Sequence, residues 1–174
     1  MCPPEAGWSE DSNENVKMVA EKEYAAVSIV VGQNKIIIEK RSSTDNDPWS
    51  GQFSLPGGHY SQKDSILKET ALRETREETG VDLRENSKYL GHFGPFTPGN
   101  RKDLEVYAYV FEIPEPVELI SSPESEFLIW VDLSDFRLTN GVYGEEFKIK
   151  EGIVWGLTAR IIERFLKLYK KDAL

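Results

Sequence analysis

The sequence predicts an α/β fold built as a single domain. Segments of strand length that are rich in β-branched residues lie on both sides of one helical segment, and an amphipathic helical pattern ends the chain. Elements in this order are typical of helices that pack on a sheet. The length of 174 residues and the hydrophobic content of 39% are sufficient for a buried core. We expect residues 23–172 to form the domain.

The chain begins with a polar, acidic extension over residues 1–22. We expect this extension to be partly disordered or to contain a short helix around residues 15–23. Residues 24–31 then predict a buried strand, and residues 35–39 predict its hairpin partner. A polar loop over residues 43–51 separates this hairpin from a glycine-rich stretch.

A helix is predicted from about Ser65 to Thr79. Leu67, Ala71 and Thr75 recur at i, i+4 and i+8, so they lie along one side of this helix. Because the resulting apolar stripe is narrow and built largely of small side chains, the helix should lie close against a sheet.

The second half of the chain predicts three more strands, over residues 89–96, 104–113 and 127–133, and a hairpin-like stretch over residues 142–150. A C-terminal helix follows, because apolar residues recur at helical spacing from Leu157 onward. We expect that helix to cover the face of the sheet opposite the first helix.

The first predicted helix carries three carboxylates on one face. At about 100° per residue, Glu74, Glu77 and Glu78 fall within roughly one 100° sector. Like charges at this spacing repel one another, and a divalent cation removes the conflict because hard cations such as Mg²⁺ take carboxylate oxygens. Taken alone, the same residues also suit an ordinary solvated helix face.

Glycines stand on both sides of that helix. Gly57 and Gly58, in the run Leu-Pro-Gly-Gly-His, permit a positive φ and a close approach of the backbone to a ligand. Gly80 is suited to cap the C-terminus of the helix. The loop, the helix and the second loop together resemble the Nudix hydrolase signature, Gly-x5-Glu-x7-Arg-Glu-u-x-Glu-Glu-x-Gly-u, in which u is aliphatic.

The chain departs from that signature at the helix and just before it. Thr75 stands in place of an aliphatic residue, and Asp64 stands in place of Glu. Eight residues instead of seven separate Asp64 from Arg73. An extra residue inside the helix would rotate its two ends by about 100°. We therefore place it in the loop or at the helix start, and expect a regular helix from about Leu67 onward.

The resemblance implies an α/β/α sandwich in which a mixed sheet lies between the motif helix and the C-terminal helix. It also implies a pyrophosphohydrolase that cleaves a nucleoside diphosphate linked to another moiety. In such an enzyme Glu74, Glu77 and Glu78 hold Mg²⁺ or Mn²⁺. Arg73 orients a ligating carboxylate and Asp64 braces Arg73, whereas an exposed Arg–Glu pair is the alternative interpretation of Arg73.

Three features resemble the coenzyme A pyrophosphatase branch of the family: the longer spacing after Asp64, the pair Arg41-Ser42 after the second strand, and the run Trp155-Gly-Leu-Thr-Ala. They favour coenzyme A or an acyl-coenzyme A as substrate. Leu55, however, stands where that branch usually has Phe. ADP-ribose, a dinucleotide or a nucleoside triphosphate is the alternative substrate, and a non-catalytic ligand-binding module is the alternative from a different class.

Further side chains are candidates for substrate contact or proton transfer. Arg41 and Arg101 are candidate cations for substrate phosphates, although an ordinary solvated turn residue is the simpler interpretation of Arg101. In the family a Glu upstream of a Trp-Val-x-Leu strand often faces the metal cluster, and Glu124 matches that position better than Glu126. The general base is then either Glu74 or Glu124.

Composition excludes several classes of function. A formal net charge of −9 leaves no electrostatic footprint for nucleic acid or for an anionic membrane. The single cysteine, Cys2, excludes an intramolecular disulfide and a cysteine-based metal site. Since no apolar run reaches membrane-spanning length and the N-terminus lacks the features of a signal peptide, we expect a cytoplasmic protein with a small-molecule nucleotide substrate. A homodimer is common in the family that the chain resembles.

Overall fold

The computed structural model describes residues 16–43 and 51–173. Within these ranges most of the strands belong to one mixed sheet, formed by β1 Glu23–Gly32, β2 Lys35–Arg41, β3 Phe53–Ser54, β4 Gly57–His59, β5 Lys88–Phe96, β6 Leu104–Ile113 and β7 Ser125–Asp132. The strand order of this main sheet is β3-β2-β1-β6-β5, to which β4 is added beside β1 and β7 beside β2. The pair β1 and β6 is parallel and the other pairs are antiparallel.

The predicted hairpin of β1 and β2 is confirmed, but its two strands soon separate. Gln33 and Asn34 form the turn with positive φ angles of 49° and 66°, as a type I′ turn requires. Direct pairing of the two strands is limited to the first residues after the turn. Beyond them β1 pairs with β4, and β2 pairs with β3 and β7. This separation lets the glycine strand β4 enter the middle of the sheet.

Two long helices cover the two faces of the main sheet, which confirms the predicted α/β/α arrangement. Helix α1, Leu67–Thr79, is followed by the short α2, Leu83–Asn86, and packs on one face through a core that includes Leu67, Ala71 and Leu72. Helix α3, Gly156–Ala173, packs on the opposite face. Its buried side chains there are Ile161, Ile162, Phe165 and Leu168.

Thr75 has a structural reason for replacing an aliphatic residue. Its hydroxyl donates to Ser28 Oγ of β1 at 2.7 Å, and Ser28 Oγ donates to the Ala71 carbonyl oxygen at 3.2 Å. All three residues are fully buried. A buried hydroxyl without a partner would be costly, so Ser28 and Thr75 satisfy each other where α1 packs on β1.

The extra residue before Arg73 lies outside the helix, as predicted. Residues 61–64 form a turn closed by the Asp64 N–H, which donates to the Ser61 carbonyl oxygen at 2.8 Å. Helix α1 then runs without interruption from Leu67 and ends at Gly80, whose φ of 78° is left-handed. The carboxylates of α1 therefore keep the phase that the sequence predicts.

Two predictions of local structure are wrong in detail. The hairpin expected over residues 142–150 is a three-stranded antiparallel sheet, with β8 at Arg137–Gly141, β9 at Gly144–Ile149 and β10 at Gly152–Val154. Val142 and the residue after it form its first turn, because Gly141 pairs with Gly144 across them. A short 3-10 helix, Leu133–Asp135, leads into this sheet.

The N-terminal helix expected around residues 15–23 is also absent from its described part. Residues 16–22 form an irregular segment and a turn. Here the Val19 N–H donates to the Tyr24 hydroxyl at 2.9 Å, and the Lys22 N–H donates to the Val19 carbonyl oxygen at 3.3 Å. These bonds hold the segment against the start of β1 instead of a helix. Residues 1–15, and residues 44–50 of the polar loop, lie outside the described ranges.

Candidate active site

Strand β4 brings the two glycines next to the carboxylates of α1. Gly57 and Gly58 pair with Val27 and Ala26 of β1. Neither adopts a positive φ, which corrects the expectation from sequence. Glycine is needed here for space: a Cβ on Gly57 would lie 2.3 Å from the Ala26 carbonyl oxygen, and one on Gly58 would lie 2.5 Å from Glu74 Cδ.

Arg73 connects the loop before α1 to two of the predicted metal ligands. Its Nε and Nη2 donate to the two carboxylate oxygens of Asp64, each at 2.9 Å. Its Nη1 donates to Glu74 at 2.9 Å and to Glu77 at 3.4 Å. Asp64 also accepts a bond from Thr70 Oγ1 at 2.9 Å. This two-pronged bond to a buried carboxylate restricts the guanidinium, and through it the orientation of Glu74.

Asp64→Asn is expected to lower the free energy of unfolding by about 1–3 kcal/mol at pH 7, because a charge-assisted pair is lost at a buried position. The Arg73 guanidinium holds the pKa of Asp64 below its ordinary value of 3.8. A depressed folded-state pKa contributes stability that is complete above the unfolded-state pKa and is lost as the pH falls through the folded-state pKa. The difference in unfolding free energy between wild type and variant should therefore be constant from pH 7 to about pH 4.

Urea unfolding of both proteins over this range and down to pH 2.5 measures that difference. We expect it to narrow below about pH 4. A difference that stays the same at the lowest pH would contradict the assignment of the stability to the ionised Asp64.

Glu74 lies at the centre of the carboxylate group. Its side chain is only 18% exposed. Burial raises the pKa of Glu74, the bond from Arg73 opposes this effect, and the charges of Glu77 and Glu124 raise the pKa further. Glu124 is thus among the charges that act on the Glu74 carboxylate, and its role at this site stays a prediction.

Glu78 faces inward and meets a carboxylate that the sequence analysis did not identify. It accepts a hydrogen bond from the Gly57 N–H at 3.0 Å and is 8% exposed. Glu39 on β2 is 2% exposed and accepts a hydrogen bond from Ser125 Oγ. Burial, followed by the charge of Glu39, raises the pKa of Glu78 to about 9. An acidic residue directly after three isoleucines was the available signal for Glu39.

The loop before β7 brings Glu124 to the end of β2. The Ser42 N–H donates to the Glu124 carbonyl oxygen at 2.9 Å, which places this loop beside Arg41. Glu126 instead pairs with Lys40 at 3.5 Å, and its side chain is half exposed. Glu126 is therefore engaged in a surface ion pair, and the choice of Glu124 as the residue near the cluster stays a prediction.

Arg101 is not brought to this group of carboxylates. Its Nη2 donates to Glu23 at 2.6 Å and its Nε donates to Asp103 at 3.0 Å. These two carboxylates raise the pKa of Arg101, with Asp103 as the larger cause. The contacts favour the simpler interpretation of Arg101 as a turn residue, in contrast to the predicted role in phosphate binding.

A cavity of about 560 Å³ opens on the side of β4 that faces α3. It is bordered by Glu39 and Arg41 of β2, by the glycine pair of β4, by the loop residues 98–100 and by the start of α3. Apolar side chains contribute most of its wall, including Val27, Leu55, Leu104 and Val106. The size and lining are typical of a small-molecule site.

The carboxylates suit a hard divalent cation. In the described ranges no three acidic, histidine or cysteine side chains are already grouped to hold a metal ion. Arg73 instead holds Glu74 and Glu77, and Glu78 is directed to Gly57 and Glu39. The oxygen donors fit such a cation because a bound cation would allow Glu39 and Glu78, which lie close together out of water, to be ionised at the same time.

Comparison with known proteins agrees with this geometry. A family model described as the NUDIX domain matches residues 22–149. The chain belongs to the Nudix family. Members of this family generally need divalent metal ions.

Named relatives and a solved structure are similar to this Nudix protein. It is 31% identical to a probable nudix hydrolase of Schizosaccharomyces pombe, over 72% of this chain and 47% of that protein. It is 30% identical to the mitochondrial coenzyme A diphosphatase NUDT8 of Homo sapiens, over 80% of this chain and 64% of that protein. The chain therefore spans less than two thirds of the length of both relatives.

The fold is shared with the NUDIX domain of Shewanella oneidensis NrtR, which was solved in complex with ADP ribose. The two are 18% identical and superpose with a TM-score of 0.57, over 90% of this chain and 94% of that one. Among the described residues of this Nudix protein, every helix is too short or too polar to cross a membrane.

Proposed function

We propose that this Nudix domain is a divalent-metal-dependent pyrophosphohydrolase that cleaves a nucleoside diphosphate linked to another moiety. The observation that carries the proposal is the close approach of the Gly58 backbone to the Glu74 carboxylate, together with the bonds of Arg73 to both Glu74 and Asp64. Glutamates on an ordinary solvated helix face would not need a glycine such as Gly58 beside them. They would also not need an arginine that is held by two hydrogen bonds to a buried Asp64.

The proposed roles follow from the positions of the side chains. Glu74, Glu77 and Glu78 would hold Mg²⁺ or Mn²⁺, which when bound neutralises pyrophosphate oxygens and acidifies water. Arg73 holds Glu74 in place and is thus a positioning residue. Glu74 or Glu124 accepts the proton of the attacking water, and the influence of the Glu124 charge on the pKa of Glu74 supports a place for both carboxylates at this site.

Coenzyme A or an acyl-coenzyme A is the substrate that we propose. Arg41, the longer spacing after Asp64 and the Trp155 run support this choice, and so does the similarity to the human coenzyme A diphosphatase. Arg41 lines the cavity and is the candidate cation there for substrate phosphates. A cytoplasmic location belongs to the same proposal, whereas the human relative is named as mitochondrial.

Coenzyme A is expected to be hydrolysed at its pyrophosphate when it is incubated with the protein and Mg²⁺ or Mn²⁺. The products are a 3′-phosphorylated adenosine 5′-phosphate and a phosphopantetheine, which chromatography separates. ADP-ribose, a dinucleotide and a nucleoside triphosphate complete the panel, and a reaction with a chelator is the control. We expect coenzyme A to have the highest kcat/KM and the chelator to abolish turnover.

Two results would contradict parts of this proposal. Turnover of ADP-ribose without cleavage of coenzyme A would reject the coenzyme A assignment and keep the hydrolase. Binding without cleavage of any member of the panel would favour the alternative of a non-catalytic nucleotide-binding module.

A further inference from the structure

The cavity beside the carboxylates has an aromatic wall that the proposed reaction does not use. Trp155 lies between β10 and α3, beyond the residues matched by the family model, and borders the cavity. Tyr143, in the turn between β8 and β9, stacks on Trp155 with ring centroids 4.1 Å apart and an interplanar angle of 12°. The turn of one hairpin is thus attached to the entrance of α3 through two parallel rings.

This stack is not explained by burial in the core. Tyr143 is 57% exposed, and Val142 beside it is 94% exposed. An exposed turn gains little folding free energy from the hydrophobic effect. The main consequence of this contact is therefore that it fixes the orientation of the two rings. Because Tyr143 covers one face of Trp155, the indole surface that borders the cavity is the other face or an edge.

The polar side chains of the cavity divide into two chemical groups. Glu39 and Arg41 are charged and lie on β2, beside the carboxylates of α1. Gln52, Asn100 and Thr158 are neutral, and their side chains form no hydrogen bond with any described residue. Uncharged donors and acceptors in a mostly apolar wall suit a heteroaromatic ring better than a phosphate, which calls for cations.

We infer that Trp155, held by Tyr143, is the stacking surface for the base of a nucleotide ligand in this cavity. The inference rests on the proposed nucleotide substrate and specifies which part of that substrate lies at this end. The diphosphate lies beside β4 and the carboxylates, and the base lies against Trp155. Tyr143 is a positioning residue, because it acts through the indole.

Binding of adenosine 5′-monophosphate tests this inference without any turnover, since that probe has no anhydride bond. Ribose 5-phosphate has the same phosphate and sugar without the base and is the matched ligand. Isothermal titration calorimetry in the presence of Mg²⁺ gives both dissociation constants. We expect the wild-type protein to bind adenosine 5′-monophosphate at least about 10-fold more tightly than ribose 5-phosphate.

Variants at the two rings should remove that preference. Trp155→Leu is expected to weaken adenosine 5′-monophosphate by about 5- to 150-fold, and Tyr143→Ser by about 2- to 10-fold, with ribose 5-phosphate unchanged. Tyr143→Phe keeps the stack and should retain wild-type affinity. Val142→Ser is the matched control, because it removes an apolar side chain from the same turn without touching Trp155. Since Tyr143 is exposed, its variants test the inference even if Trp155→Leu does not fold.

Three outcomes would overturn the inference. One is equal binding of the two probes by the wild type, and another is equal loss for both probes in Tyr143→Ser. The third is weakened binding of 4′-phosphopantetheine in Trp155→Leu with adenosine 5′-monophosphate unaffected, which would place the other half of coenzyme A there. Hydrolysis of the substrate panel together with any of these results would leave the proposed function standing. Tighter binding of adenosine 5′-monophosphate than of ribose 5-phosphate, without hydrolysis of any substrate, would support the inference on Trp155 and reject the proposed hydrolase function.

Discussion

Glu77→Gln is expected to lower kcat by more than about 30- to 150-fold, the range that corresponds to two or three kcal/mol of lost transition-state stabilisation. The substitution keeps the shape of the side chain and removes one negative charge and one strong metal ligand. The fold should be unaffected, because the Glu77 side chain is 54% exposed. Within the part of the chain that the structure describes, its one ion pair is with Arg73, at 3.4 Å. Steady-state kinetics on the substrate identified from the panel give kcat.

Thermal unfolding with and without Mg²⁺ distinguishes loss of a ligand from loss of a surface charge. Ligands that bind only the native state stabilise it by mass action, so the wild type should gain melting temperature on addition of Mg²⁺ and Glu77→Gln should gain less. Glu85→Gln removes an exposed helical glutamate outside the carboxylate group and is the matched control. Equal kcat of wild type and Glu77→Gln at saturating metal would end the assignment of Glu77 as a ligand.

Alanine at the two adjacent glycines of β4 is expected to damage different properties of the protein. On Gly57 the new Cβ would lie 2.3 Å from the Ala26 carbonyl oxygen, and the backbone there cannot move without breaking the pairing of β4 with β1. We expect Gly57→Ala to lose at least about 2 kcal/mol of unfolding free energy. On Gly58 the three atoms nearest to the new Cβ would all belong to the Glu74 carboxylate, the far end of a side chain that can rotate away.

Gly58→Ala should therefore remain folded, with a loss of less than about 1 kcal/mol. Its kcat should fall roughly 10- to 100-fold, because a displaced Glu74 no longer lies where the reaction needs it. Urea unfolding and steady-state kinetics measure the two effects separately. Full activity in Gly58→Ala would contradict the proposed position of Glu74.

The local pattern of apolar and polar residues was sufficient to predict the two long helices and the longer strands. Helical phase places Glu74, Glu77 and Glu78 on one side of α1, and Gly80 ends that helix, as the sequence indicates. These features depend on residues a few positions apart, whose relative directions are set by backbone geometry. The wrong boundary of the hairpin at residues 142–150 has a related cause. Its strand β8 is exposed and lacks an apolar alternation, so only pairing with β9 defines it.

The sequence by itself determined the order of the longer elements and the phase of the α1 carboxylates. Tertiary structure alone decided that Glu39 faces Glu78 and that Tyr143 stacks on Trp155. These contacts join residues that are far apart in the chain. They depend on which strands pair and where each loop returns, and neither is encoded in the periodicity of one segment.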